Sequence, residues 1–177
     1  MTIIVKNNYT LIFDDFKFKC CVGKNGFSGN KYEGDKKTPT GKYKLGHLYF
    51  RKDRRKKPQT KLKVISIQRH MGWCNDINSK NKYNKLINIK SKLKCENLFR
   101  HDYKYDFFIP IKYNWKNPQI GKGSAIFIHL TKNYKPTAGC IGLSEKDFLI
   151  MIKLISNKSK IQILWLLSPN ILDPILI

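Results

Sequence analysis

Gly121 to Asp147, GKGSAIFIHLTKNYKPTAGCIGLSEKD, decides how the chain is to be read. Ser124 to Ile128 turns from small to apolar and β-branched residues, which suits a buried strand delivering His129 at its end. Lys132 to Thr137 carries Asn, Pro and charge, so the chain leaves the strand there and returns at Thr137-Ala138-Gly139-Cys140. Ser144, with Asp147 three positions on, reads as a helix N-cap, and Phe148, Met151, Ile152 and Ile155 give that helix one apolar face. The spacing thus predicts strand, loop and helix, with Cys140 between a strand-end histidine and a helix start.

Those residue types suit nucleophilic chemistry. A cysteine nucleophile needs a thiolate, a base or cation that produces it, and backbone N–H groups aimed at a developing oxyanion. Cys140 follows His129 by eleven positions, a separation that a folded-back loop can close. Gly139 removes a side chain beside the thiol and lets a carbonyl approach the backbone. A helix start and His129 are both expected to lower the thiol pKa. A structural reading has equal support from spacing alone, with Cys140 a small buried residue and His129 a satisfied strand-end histidine.

Working outward, Thr2 to Lys6, Tyr9 to Phe13 and Phe16 to Val22 read as hairpins punctuated by Asn7-Asn8 and Asp14-Asp15. Gly23 to Gly41 is a long loop of the functional kind, ending in Thr38-Pro39-Thr40-Gly41, before a strand from Lys42 to Phe50. It lacks the spacing of a phosphate-binding loop. Arg51 to Lys57, RKDRRKK, is the densest basic run, either a solvated turn or an anionic-surface contact. Lys63 to Gln68 is a further strand. In the segment after it, His70 and Trp73 are candidates to line a cleft, although Trp73 serves a core equally well. Leu93 to Tyr105 holds a short helical candidate and Arg100-His101-Asp102, Phe107 to Ile111 a buried strand, and Ile161 to Leu167 a last core strand before an apolar tail. The expected fold is mainly β, a sandwich-like sheet with one long helix after Cys140 and minor short ones, in a single domain over residues 1–177.

Lys+Arg of 35 against Asp+Glu of 12 leaves +23, which points to an anionic partner or surface. A basic nucleic-acid-binding protein is the rival from another class, but no nucleic-acid motif accompanies the charge, so no specific nucleic acid is expected. Met1 to Val5 is too short for a secretory h-region, and no run reaches the ~18 apolar residues of a membrane span. The five cysteines, Cys20, Cys21, Cys74, Cys95 and Cys140, form no metal-ligand spacing. An odd count leaves at least one thiol free.

Ile128-His129, the returning Thr137-x-Gly139-Cys140-Ile141-x-Leu143 with its helix, and Gly23-Lys24-Asn25-Gly26, Glu33-Gly34-Asp35 and Thr38-Pro39-Thr40-Gly41 upstream together resemble the L,D-transpeptidase catalytic domain (YkuD-type) family, in a divergent short-motif branch. The likeness runs from about Val22 to Leu164, leaving 165–177 as a tail. It implies a cysteine acyltransferase on peptidoglycan stem peptides, working through a Cys140 thioester, in the cell envelope or periplasm. His129 would be base and then acid, oriented through the Leu130 carbonyl, with the N–H groups of Gly139 and Cys140 as oxyanion donors and with Thr137, Ser124, His70, Trp73, Arg69 and Arg100 as substrate contacts. No metal or organic cofactor is implied. An L,D-carboxypeptidase or hydrolase using the same site, and an inactive binding module, are the alternatives. The family usually carries a second His before Gly-Cys and an Arg after it; here Ala138 and Gly142 stand there, and Arg69 and Arg100 are the candidates to supply the missing cation.

Overall fold

Period-two alternation at the N-terminus buries one face of each strand. In the computed structural model, which describes residues 1–6 and 9–165, Thr2–Lys6 (β1), Thr10–Phe13 (β2) and Phe16–Cys21 (β3) form an antiparallel meander. Ile3, Val5, Leu11, Phe13, Phe18 and Cys20 point into one core. Two short pairing segments follow, Phe27–Ser28 (β4) and Thr38–Pro39 (β5), within the long loop.

The strand expected over Lys42 to Phe50 is two strands, Gly41–Lys44 (β6) and Leu48–Phe50 (β7). Gly46 makes the break: a Cβ there would lie 3.2 Å from the Pro110 ring, and the Gly46 N–H donates to the Pro110 carbonyl at 2.7 Å. The remaining strands are Val64–Ser66 (β8), Met71–Cys74 (β9), Leu86–Asn88 (β10), Cys95–Asn97 (β11), Phe107–Pro110 (β12), Phe127–Leu130 (β13), Ile141–Leu143 (β14) and Lys160–Ile163 (β15). Ten of the strands make one sheet in the order β6-β15-β1-β2-β3-β14-β13-β12-β7-β8. β6 lies at one edge and β7 next to the other, yet only Leu45, Gly46 and His47 join them. The sheet must therefore curl until its flanks meet, as the Leu45–Ile111 bridge records.

The concave side holds α1, Glu145–Leu154. Ser144 caps it by accepting the Asp147 N–H at 3.1 Å, and Glu145 and Asp147 place negative charge at the dipole's positive end. Phe148, Met151, Ile152 and Ile155 are fully buried against Ile3, Leu11, Ile128, Ile141 and Leu143. Each such side chain contributes roughly 1.5–3 kcal/mol of burial. β15 ends at Ile163, and residues 166–177, including the rest of the expected last strand and most of the apolar tail, lie outside the described residues.

The convex side carries a second, three-stranded sheet, β10-β9-β11. It overturns the helical reading of Leu93 to Tyr105. Asp76, Asn97 and Asp102 accept backbone N–H groups from Lys94, Phe99 and Lys104, so the chain is committed to turns on either side of β11. A single 3-10 turn, Ile89–Ser91, precedes it.

The basic run is partly structural. Arg51 is buried over the Phe99 ring, with its guanidinium bidentate to Asp53 at 2.8 and 2.7 Å. Arg54 and Arg55 converge on the buried Asp106 carboxylate at 3.2 and 2.9 Å, and Arg55 reaches Glu145 at 3.0 Å. Lys52, Lys56 and Lys57 remain exposed.

Candidate active site

β13 serves two faces. Ile128 and Leu130 point into the helix-side core, while Phe127 and His129 point the other way, into an aromatic layer with Tyr49, Trp73, Tyr105 and Phe108 beneath the small sheet. Strand periodicity thus aims the histidine outward. His129 is the third residue of β13 and not a residue beyond its end, because Leu130 still pairs with Leu143. Its Nδ1 lies 2.9 Å from the Leu130 carbonyl. A carbonyl only accepts, so Nδ1 carries the proton and Nε2 keeps its lone pair.

Cys140 comes just before β14, which runs parallel to β13. The Phe127 N–H donates to its Sγ at 3.3 Å, and the thiol donates to the Ala125 carbonyl at 3.3 Å. Ala125 adopts φ 51° to present that carbonyl. Cys140 is not at a helix start: β14 and Ser144 separate it from α1, so the helix dipole falls on Ser144 and the first turn instead.

The glycine-rich segment is strapped to the loop that carries Cys140. The Thr38 hydroxyl accepts the Gly23 N–H at 2.8 Å and donates to the Gly139 carbonyl at 2.9 Å. Thr137 exchanges backbone bonds with Val22 and Lys24, and its hydroxyl donates to the Cys140 carbonyl at 2.6 Å. Gly139 sits at φ 135°, where an added Cβ would lie 2.8 Å from the Lys37 carbonyl and 3.5 Å from Lys31 Nζ. Only glycine suits that position. The Gly139 N–H, expected as an oxyanion donor, donates to Thr137 Oγ1 at 3.0 Å in the resting structure.

Cys140 and His129 line one cleft of about 600 Å3, together with Ser124, Thr137, Arg100, Lys31, Glu33 and Glu96. Its electrostatics oppose a preformed ion pair. Burial, and then Glu96, push the Cys140 thiol up to about 12, and burial lowers His129 to about 4. The expectation of a lowered thiol pKa is corrected here. At neutral pH the resting pair is a thiol and a neutral imidazole.

The family model described as the L,D-transpeptidase catalytic domain matches residues 2–163. The chain belongs to this family. A solved L,D-transpeptidase from Mycobacterium smegmatis is similar at 10% identity and a TM-score of 0.43, over 92% of this chain and 58% of that one. The chain therefore spans a little over half the length of that structure. No protein of curated function matches it significantly.

Within the family's frame, the departures acquire physical reasons. Gly142 pairs with His129 on one side and Cys21 on the other, and a Cβ there would lie 2.6 Å from Cys21 Sγ and 3.2 Å from Thr131. No arginine fits. Lys31 is a further cation of this cleft, with its Nζ facing Gly139 from a buried pair with Asp35. Asp35 also accepts the N–H groups of Tyr32 and Lys37, so the pair is anchored in the strap.

Of the other expected contacts, Ser124, Thr137 and Arg100 line the cleft. Arg100 is bidentate to Asp102 at 2.9 and 2.6 Å, lies 3.6 Å from Glu96, and stacks over Tyr105. Three expected contacts fall elsewhere. Trp73 is 2% exposed, packed on Phe127 and Trp115 with its indole N–H on Asn84 at 2.9 Å, so it is core. His70 borders a separate hollow with Leu86 and Ile87, and Arg69 stacks on Phe99. Sequence reasoning missed Lys31, Glu33 and Glu96. Glu33 accepts from the Tyr83 and Ser124 hydroxyls, and Glu96 from the Tyr105 hydroxyl. Glu33-Gly34-Asp35 carried a signal; Glu96 carried none.

Proposed function

We propose that this chain is a cysteine acyltransferase acting on peptidoglycan stem peptides by L,D-transpeptidation, in the cell envelope where such stems occur. The observation that carries the reading is the meeting of Cys140 and His129 in one cleft beneath the strap made by Thr38. His129 Nε2 is the base. Because the thiol and imidazole both rest neutral, the thiol proton moves to Nε2 as sulfur attacks the scissile carbonyl, not beforehand. The bond to D-alanine breaks, the imidazolium protonates the departing amine, and a thioester remains on Cys140. The N–H of Cys140 is the oxyanion donor in this scheme, with Gly139 joining when Thr137 releases it.

Lys31 and Arg100 supply the cationic side of the cleft, suited to a stem carboxylate. Glu33, Glu96 and Asn75 supply an acceptor side, suited to the incoming ammonium. Asn75 Oδ1 is buried without a hydrogen-bond partner among the described residues, so a bound donor would satisfy it. An amine acceptor yields a cross-link, and water yields hydrolysis. Among the described residues no helix is long and apolar enough to cross a membrane. Exposed lysines, in a chain of net charge +23, favour association with anionic wall polymer.

Purified tetrapeptide stems incubated with the protein, with products read by mass, test the reading. A cross-linked dimer with loss of one D-alanine is expected. Tripeptide alone would replace transfer by hydrolysis, and unchanged tetrapeptide would remove both.

A further inference from the structure

Away from the cleft chemistry, Cys74 in β9 stands directly opposite Cys95 in β11. The flanking bonds fix the type of position. The Asn75 N–H donates to the Lys94 carbonyl and the Leu98 N–H to the Met71 carbonyl, each at 3.1 Å. Residue pairs 75/94 and 71/98 are thus the hydrogen-bonded ones, and Cys74/Cys95 falls between them, on a non-hydrogen-bonded pair. There the two side chains share a face and the Cα atoms approach to about 4.5 Å. A disulfide spans Cα separations of about 4.4–6.8 Å.

Both thiols are free, and the space around them is suited to closure. Gly72 lies two residues before Cys74 on the same face, and a Cβ on it would lie 2.9 Å from Cys95 Sγ. The Cys95 sulfur therefore rests over a bare backbone position on the face that it shares with Cys74, beside the Ile89 side chain. Access is unequal: Cys74 is 0% exposed, whereas Cys95 is half-buried.

We propose that Cys74 and Cys95 form a cross-strand disulfide site, closed by exchange with a low-molecular-weight disulfide that enters at Cys95. The Cys95 thiolate attacks the disulfide, forming a mixed disulfide and releasing one thiolate. Cys74, having lost its proton, then attacks Cys95 Sγ and releases the second, so two protein thiols are oxidised and one disulfide is reduced to two thiols. The closed loop carries Tyr83 and Asn84. Those side chains hold Glu33, Gly123, Trp73 and Ala125, so the cross-link ties down the wall of the cleft. Glu96 follows Cys95 directly.

The test is to hold the folded protein in excess oxidised over reduced glutathione, quench with acid, alkylate after denaturation, and map the peptides by mass. The wild type should lose two hydrogens and give one linked peptide pair, Cys74 with Cys95, while Cys20, Cys21 and Cys140 are alkylated. Cys74→Ser should stop at a glutathione adduct on Cys95, and Cys95→Ser should leave Cys74 a free thiol. A wild type that accumulates the Cys95 adduct unresolved, that pairs Cys74 with another cysteine, or that leaves both thiols reduced overturns the proposal.

Discussion

The two faces of β13 divide the molecule. On the concave face, Ile128 and Leu130 meet α1 in a core that is almost wholly aliphatic and phenylalanine. On the convex face, Phe127 and His129 meet tyrosines, tryptophan and Cys140, and buried polar groups there are tied to specific partners, Tyr105 to Glu96 and Trp73 to Asn84, with Asn75 Oδ1 left over among the described residues. Apolar packing is non-directional and supplies stability, whereas the polar layer fixes positions at the cost of desolvating titratable groups. Burial shifts the Cys140 and His129 pKa values on the second face, and it also raises Cys20 on the first.

The largest effect should come from crossing that divide. His129→Ala is expected to lower turnover on stem peptides by about 10² to 10⁴, the range of a general base, with folding retained. Ile128→Ala, one residue away on the other face, should cost about 2–5 kcal/mol of stability by cavity formation. Its activity per folded molecule should persist. Denaturant melts and kinetics on both variants check this, and the division fails if the two swap phenotypes.

Next is the strap. Lys31 and Asp35 have side chains 3% and 0% exposed, so Asp35→Ala leaves a buried cation uncompensated. A loss of about 3–5 kcal/mol is expected, in contrast to pairs of exposed charges worth under about 1 kcal/mol. Thermal melts of the two classes separate them.

Acid should attack the convex face first. His129 falls from 6.5 unfolded to about 4 folded, so between those values the unfolded chain holds a proton that the native one does not. Stability therefore declines as pH falls from 6.5 toward 4, by on the order of 3 kcal/mol. His129→Ala should flatten that part of the stability curve. An unchanged slope would mean that the imidazole is not buried neutral.

The smallest contrast lies in the basic run. Lys56→Gln with Lys57→Gln should weaken binding to anionic wall polymer in a salt-dependent way and leave the melting point alone. Arg54→Gln with Arg55→Gln should lower stability, because Asp106 loses its partners.

What the sequence made legible was local. Alternation in Thr2 to Cys21, the Ser144 cap and the apolar stripe of α1 act over a few residues, and each formed where the pattern placed it. The family likeness, read from Val22, extends back to residue 2. Partners distant in sequence were not legible. Gly46 breaks a strand because of Pro110, and Glu96 reaches the cleft only through a β11–β9 pairing. Lys31 lines the cleft from a loop that Thr38 straps to Gly139. The raised thiol pKa is of the same kind, since burial and Glu96 outweigh Lys31 and neither can be read from Gly139-Cys140-Ile141.

In the proposed reaction Cys140 carries the acyl group. The direct measurement is intact mass of the protein quenched with acid during turnover of tetrapeptide stems, followed by peptide mapping. An adduct equal to the stem less D-alanine, confined to the Cys140 peptide in the wild type, enriched in a form deprived of acceptor amine and absent from Cys140→Ser, is the predicted result. Turnover retained in folded Cys140→Ser, or the same adduct on Cys20, Cys21, Cys74 or Cys95, would contradict it.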